Sequence, residues 1–280
     1  MNLRKIWAFA LYEVRRATAR KKVLALVVLT ILLDTVPYYL LRSTRLSLIP
    51  VGDYPYLWVT GIFVLQGFFF PFISLLIAAG SMSEEYEQGT AEVILSKPVS
   101  RDEFLFGKFL GGLLLMTAVV LLNAVLTIAS ASFTFGVQLA LGVLPGVVVA
   151  QVFCSLVFLS IAFMSGELVR RSSLAYITAS ASFFTSYIVG IYLRLIYTLT
   201  GDTLYQSVQL YLPTTPVSSL PLLIAQPLPA PAQTLLRFLG ISSAESSIPL
   251  SVGIIAIYAL AALGIARTYF NWADVAKRIA

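Results

Sequence analysis

The residues able to do chemistry concentrate in one stretch, Ser81–Lys108, whose sequence is SMSEEYEQGTAEVILSKPVSRDEFLFGK. It carries nine of the chain's 19 basic and 13 acidic residues and lies between two long apolar runs. Mixed signs at this density suit an ionic contact with a partner. Other chemistries are thinned out by what the chain lacks. With no His, it has no His-based triad, no His-ligated zinc or haem and no histidine proton relay. Cys154 is the only cysteine, so an internal disulfide or a CxxC metal site is excluded, and it reads as a free thiol within a span. An intramembrane aspartyl protease needs two facing carboxylates, and the apolar runs hold only Asp34. Gly107-Lys108-Phe109 lacks both the earlier glycine and the hydroxyl of a phosphate loop, so no nucleotide hydrolysis is expected here. The chain is read as no enzyme, with neither metal nor cofactor of its own.

What must position the stretch is a membrane. A chain 59% hydrophobic and 11% charged, with a mean hydropathy of +0.89, has too little polar surface for a soluble globule. Apolar runs long enough to cross about 30 Å of hydrocarbon occur at 23–41, 56–80, 109–132, 142–165, 174–199 and 248–266. They are apolar on every face and lack the period-two alternation of a membrane barrel. The expectation is an all-α integral membrane protein with six transmembrane helices, forming a single domain over 1–280.

Lys and Arg accumulate on the cytoplasmic side. One side holds Arg4, Lys5, Arg15, Arg16, Arg20, Lys21, Lys22, Lys97, Arg101, Lys108, Arg170, Arg171, Arg267, Lys277 and Arg278; the other holds Arg42, Arg45, Arg194 and Arg237. This asymmetry predicts both termini in the cytoplasm of a multi-pass protein of the cell (plasma) membrane. It also accounts for the net charge of +6 without a nucleic-acid partner. Within 1–22, Leu3, Ile6, Trp7, Ala10 and Val14 recur at helical spacing, and Arg4, Lys5, Arg15 and Arg16 fall mostly elsewhere. That pattern predicts an N-terminal amphipathic interfacial helix in the headgroup plane.

The loop 81–108 divides into two helical pieces. Thr90 is placed to cap a short helix whose apolar face is Ala91, Ile94 and Leu95, and Pro98 ends it. Ser100-Arg101-Asp102-Glu103 is a capping box that starts a second helix, which runs through Phe104, Leu105 and Lys108 directly into the third span. Such a helix could carry a push from the loop into the membrane.

Read from Glu85 to Lys108, the order E-x-x-x-G-T-x-E-x-x-L-S-x-P-V-S-R-x-E-F-x-x-G-K resembles the cytoplasmic signature of the type-2 ABC exporter permease family. The basic lead, the six spans and a tail in which Tyr269-Phe270 precede Asp274 extend the likeness. Gln88 and Lys97 read as ordinary variants. The resemblance implies a permease half that pairs with a second copy or a homologue in the lipid bilayer above two copies of a separate ABC ATPase, which binds ATP and Mg2+. It implies a coupling contact through Glu84, Glu85, Glu87, Gly89, Thr90, Glu92, Leu95, Pro98, Ser100, Arg101 and Glu103. A smaller contact in the fourth-to-fifth loop would use Glu167, Arg170 and Arg171.

The segment 200–247 holds Pro213, Pro216, Pro221, Pro227, Pro229 and Pro231 in a Leu-rich setting, so it cannot be one regular helix. Val217–Ala225 and Ala232–Leu239 are too short to span but suit interfacial or re-entrant helices, and the family likeness implies a re-entrant hairpin. Asp34 and Arg194 are the ionisable residues inside spans. Each needs a partner or water. Asp34 is open to cation binding, lining a conduit or pairing with Arg194, and Arg194 to snorkelling. Two other functions stay open: an ATPase-independent secondary transporter, disfavoured by a lone Asp34 and dissimilar halves, and a non-transporting subunit that moves an extracytoplasmic partner.

Overall fold

The computed structural model describes residues 2–19, 21–43, 49–238 and 246–273 of the chain. Arg20, Arg45, Asp274, Lys277, Arg278 and the side chains of Lys21 and Lys22, all used above, lie outside the described residues. Every regular element among the described residues is helical: α1 (Leu3–Thr18), α2 (Lys21–Ser43), α3 (Trp58–Glu87), α4 (Thr90–Leu95), α5 (Arg101–Phe135), α6 (Leu144–Val169), α7 (Ser172–Thr200), α8 (Thr203–Leu210), α9 (Thr214–Ile224), α10 (Ala230–Phe238) and α11 (Ile248–Trp272), with 3₁₀ turns at Val51–Tyr56 and Leu141–Val143. Of these, α2, α3, α5, α6, α7 and α11 are long and apolar enough to cross a membrane, one for each apolar run. A helix satisfies its backbone internally, which hydrocarbon demands.

The most buried pair is α3 and α6. Their backbones touch because Gly166 has no side chain: a Cβ there would lie 2.6 Å from the Ala79 carbonyl oxygen. Phe68 of α3 meets Phe183 of α7 edge-on at 5.5 Å, and Phe183 meets Phe158 of α6 at 5.2 Å, closing a three-helix contact. α2, α7 and α11 lie at the rim, and each leaves most of its surface uncovered.

At 35 residues α5 is about 52 Å long, well beyond the ~30 Å of a hydrocarbon core. It is one unbroken helix from Arg101, as the capping box predicts. Its first turns carry α1. Ile6, Ala10 and Glu13 of α1 are buried, and Gly107 and Gly111 of α5 let the two backbones approach: Cβ atoms there would lie 2.8 Å from the carbonyl oxygens of Ile6 and Ala10. Leu3, Trp7 and Leu11 form a separate, exposed apolar stripe.

At the far end of the bundle the chain turns back on itself. α9 and α10 match the two short helices expected from the proline spacing, whereas α8 is unanticipated because TLYQSVQL shows no clean apolar period. Thr214, at the start of α9, lies 2.9 Å from Ser186, halfway along α7. The chain therefore descends through α8 beside α7 and climbs again as α9. The inward hairpin is α8–α9 rather than α9–α10. α9 is buried among α3, α6 and α11, and Gln66 of α3 donates to the carbonyls of Val217 and Ser218 at 3.1 and 2.9 Å. α10 stays outside, covering the start of α3 with Leu235 and Leu236.

Candidate functional site

The charged end of the bundle is built around α4. Between α3 and α4 the backbone turns at Gly89 with φ +68°, a left-handed conformation that disfavours other residues. Gly89, not Thr90, holds the cap position. Thr90 is the first helical residue, and its hydroxyl donates to the carboxylate of Glu85, five residues back. Ala91 is buried, and Ile94 and Leu95 pack against the core as their spacing predicts. Glu92, Val93, Ser96, Lys97, Pro98 and Ser100 face outward, Val93 being 62% exposed.

The three residues after Ser100 hold the start of α1 and the end of α11. Ser100 Oγ accepts from the Glu103 amide at 3.1 Å, and Glu103 Oε2 accepts from the Ser100 amide at 3.1 Å, completing the capping box. The other Glu103 oxygen takes the Asn2 amide at 2.6 Å, which pins the start of α1. Arg101 donates to the carbonyls of Phe270, Asn271 and Ala273 at 2.7 to 3.2 Å, capping the end of α11. Asp102 receives a two-pronged bond from Arg267 at 2.8 Å on each oxygen.

Beneath α4 lies a buried ion cluster. Lys108 Nζ, fully buried, donates to Glu13 Oε2 at 2.7 Å, Glu85 Oε1 at 2.5 Å and the Ser81 carbonyl at 3.0 Å. Arg16 bonds the same Glu85 carboxylate, reaches the Ser81 carbonyl at 3.1 Å and stands 3.8 Å from Glu84. Three carboxylates and two cations from α1, α3 and α5 thus share one largely buried site, and neighbouring charges stand in for most of the water each has lost. A cavity of about 40 Å³ opens beside Arg16, Ser81 and Glu84, enough for water to reach their edges.

The second loop is tied to the first. Glu87 accepts from the Ser172 amide at 2.8 Å and from its hydroxyl at 2.7 Å, so a carboxylate of α3 caps α7. Tyr86 donates its hydroxyl to the Glu167 carboxylate, 2.7 and 2.8 Å from its two oxygens, and Arg170 lies 4.6 Å over the Tyr86 ring. Arg171 is exposed. Replacing Glu87 with Ala is expected to cost about 1 kcal/mol, as loss of a helix cap does, and to fray α7 near Ser172; hydrogen exchange of the first-turn amides of α7 would read it.

Of the residues assigned to an outward contact, the geometry leaves Glu87, Glu92, Pro98, Ser100 and Arg171 exposed and Gly89, Thr90, Leu95, Arg101 and Arg170 partly so. Glu84, Glu85, Glu103 and Glu167 are buried and engage the protein's own helices. Glu13, Tyr86 and Asp102 belong to this frame and escape the sequence reading. Glu13 alone left a trace, since it shares the apolar face of Ile6 and Ala10. Asp34 and Arg194 stand apart from it: Asp34 is buried against α5 and Arg194 is exposed on α7.

Among the described residues, six membrane-length helices, topped at one end by an ion-paired frame that mounts the short helix α4, define a multi-pass membrane protein. The chain belongs to the ABC-2 family of transporter proteins, whose family model matches residues 7–275. Over 115 residues it is 33% identical to the probable ABC transporter permease protein NosY of Stutzerimonas stutzeri. That stretch covers 40% of this chain and 42% of the relative.

Proposed function

We propose that the chain is the permease subunit of an ATP-binding cassette exporter, driven by a separate ATPase that docks on α4. The charged end then faces the cytoplasm, together with both termini, and α1 lays Leu3, Trp7 and Leu11 into the headgroup layer of the plasma membrane. Two ATPase copies, carrying ATP and Mg2+, and a second permease copy complete the assembly. The observation that carries this reading is the mounting of α4: its outer face is exposed, and its base is tied to α3 by the buried Ala91 and by the bond from Thr90 to Glu85. Closure of the ATPases on ATP moves α4, and α5 transmits that motion as a stiff rod. About 5.5 kcal/mol is enough to move a two-state equilibrium from 1:99 to 99:1, so the coupling needs no catalytic group in this chain.

The docking face comprises Glu92, Val93 and Lys97, while Glu84 and Glu85 serve the cluster beneath. Changing Val93→Asp together with Lys97→Glu is expected to abolish co-purification with the ATPase in detergent while leaving the unfolding midpoint of the chain unchanged, since exposed positions usually cost within about 0.5 kcal/mol. Undiminished retention of a hydrolysing ATPase by this variant would remove α4 as the docking element.

A further inference from the structure

Asp34 lies in α2 with no exposure, and the frame at the charged end makes no use of it. Its Oδ1 accepts from Asn123 Nδ2 at 2.7 Å and from Thr127 Oγ1 at 3.0 Å, both on α5. Its Oδ2 is buried without a hydrogen-bond partner, and so is Oδ1 of the same Asn123. The elements packed on α2 are α5, α1 and α3. From α5, Asn123 and Thr127 face Asp34, and the nearest charge on that helix is Lys108, 15 residues and about 22 Å along the axis. α3 offers Thr60 and Gly61, which bind the hydroxyl of Tyr38, one turn beyond Asp34. The charges of α3 and of α1 that engage the bundle lie at the charged end: Glu84, Glu85, Glu13 and Arg16 in the cluster, Glu87 on Ser172 and Lys5 beside Glu103. α2 itself contributes Lys21 and Lys22 at its start and Arg42 two turns beyond Asp34.

A bare carboxylate in a span is costly, and three things could relieve it: a side-chain cation, a metal cation or a proton. Among the described residues the hydrogen-bonding groups on Asp34 are neutral. A hard cation takes six or more oxygen ligands, and two unpartnered oxygens fall far short. A proton on Asp34 Oδ2, donated to Asn123 Oδ1, satisfies both unpartnered atoms at once and turns the contact into a cyclic acid–amide pair. We propose that Asp34 is a proton-binding site within the membrane and that its proton locks α2 onto α5. Parting α2 from α5 would wet the carboxyl group and release the proton, so any movement of α2 carries a proton step. The inference stands whether or not an ATPase docks on α4.

Asp34→Asn provides the test, because an amide there accepts from Asn123 and donates to it as the protonated acid does. In the full chain, labelled with 13C-aspartate and held in lipid nanodiscs, the wild type is expected to show an infrared carboxylic-acid band at neutral pH that vanishes in Asp34→Asn. Because the folded chain holds a proton that the unfolded, water-exposed aspartate has released, the wild-type unfolding midpoint falls as pH rises. Asp34→Asn keeps a high, flat midpoint, and Asp34→Leu is low throughout. Absence of the acid band, with Asp34→Asn as unstable as Asp34→Leu, would show an ionised acceptor and overturn the proposal. A midpoint raised by sodium at fixed pH, again without the band, would overturn it in favour of a cation site.

Discussion

Replacing Lys108 with Met is expected to destabilise the chain by about 3–5 kcal/mol, the usual cost of removing one partner from a buried ion pair. The methionine fills most of the lysine's volume, so the loss reports charge rather than packing. Glu13 loses its 2.7 Å partner, and Glu85 keeps only Arg16 and the Thr90 hydroxyl. Three carboxylates then face one cation in a site that water reaches only at its edge. The expected result is a large fall in the unfolding midpoint, with α1 released to proteolysis before the spans unfold. Adding Glu13→Gln to Lys108→Met should recover part of the loss, because it removes the carboxylate that the first change stranded. The residues touch, so the two effects are non-additive by about 0.5–3 kcal/mol. An unfolding midpoint unmoved by Lys108→Met would mean that the cluster does not hold α1 to α3 and α5.

How much of this was legible differs from one element to the next, and the reason is locality. Six spans are legible because an apolar run of that length has no competing reading once strands are excluded. The capping box is legible because both its bonds are made within four consecutive residues. The ion cluster is not: Lys108 meets Glu13 across 95 positions and Arg16 meets Glu85 across 69, and a charge beside an apolar run reads as solvated until its partner is known. Hence Glu84, Glu85, Glu103 and Glu167 look outward in sequence and point into the bundle in the structure. Lys108 is counted above as a topological charge at the end of a loop, yet it is among the most buried side chains in the chain. α8 is hidden for a different reason, since a short helix resting on another helix needs only a partial apolar face and so leaves only a faint periodicity.

The glycines under α1 give the second large effect. A methyl group at Gly107 would lie 2.4 Å from Phe9 Cβ and 2.8 Å from the Ile6 carbonyl oxygen; at Gly111 it would lie 2.6 Å from Glu13 Cβ and 2.8 Å from the Ala10 carbonyl oxygen. None of these atoms is the far end of a flexible side chain, so α1 must move as a body. Overpacking of this kind costs about 1–3 kcal/mol at each position, and the shift also pulls Glu13 from Lys108. Gly107→Ala with Gly111→Ala is therefore expected to lift α1 off α5 while leaving α4 seated on α3. Gly112→Ala is the control, because a methyl group there meets only Ile77 at 3.7 Å and Leu159 at 3.9 Å, which is ordinary contact. If the ATPase docks as proposed, the double variant should still retain it and lose the dependence of transport on ATP, since the face of α4 survives and the brace that keeps the start of α5 stiff does not. Spin labels on the exposed faces of α1 and α5 would read the displacement directly. Equal distances in the double variant and in Gly112→Ala would show that α1 does not rest on these glycines.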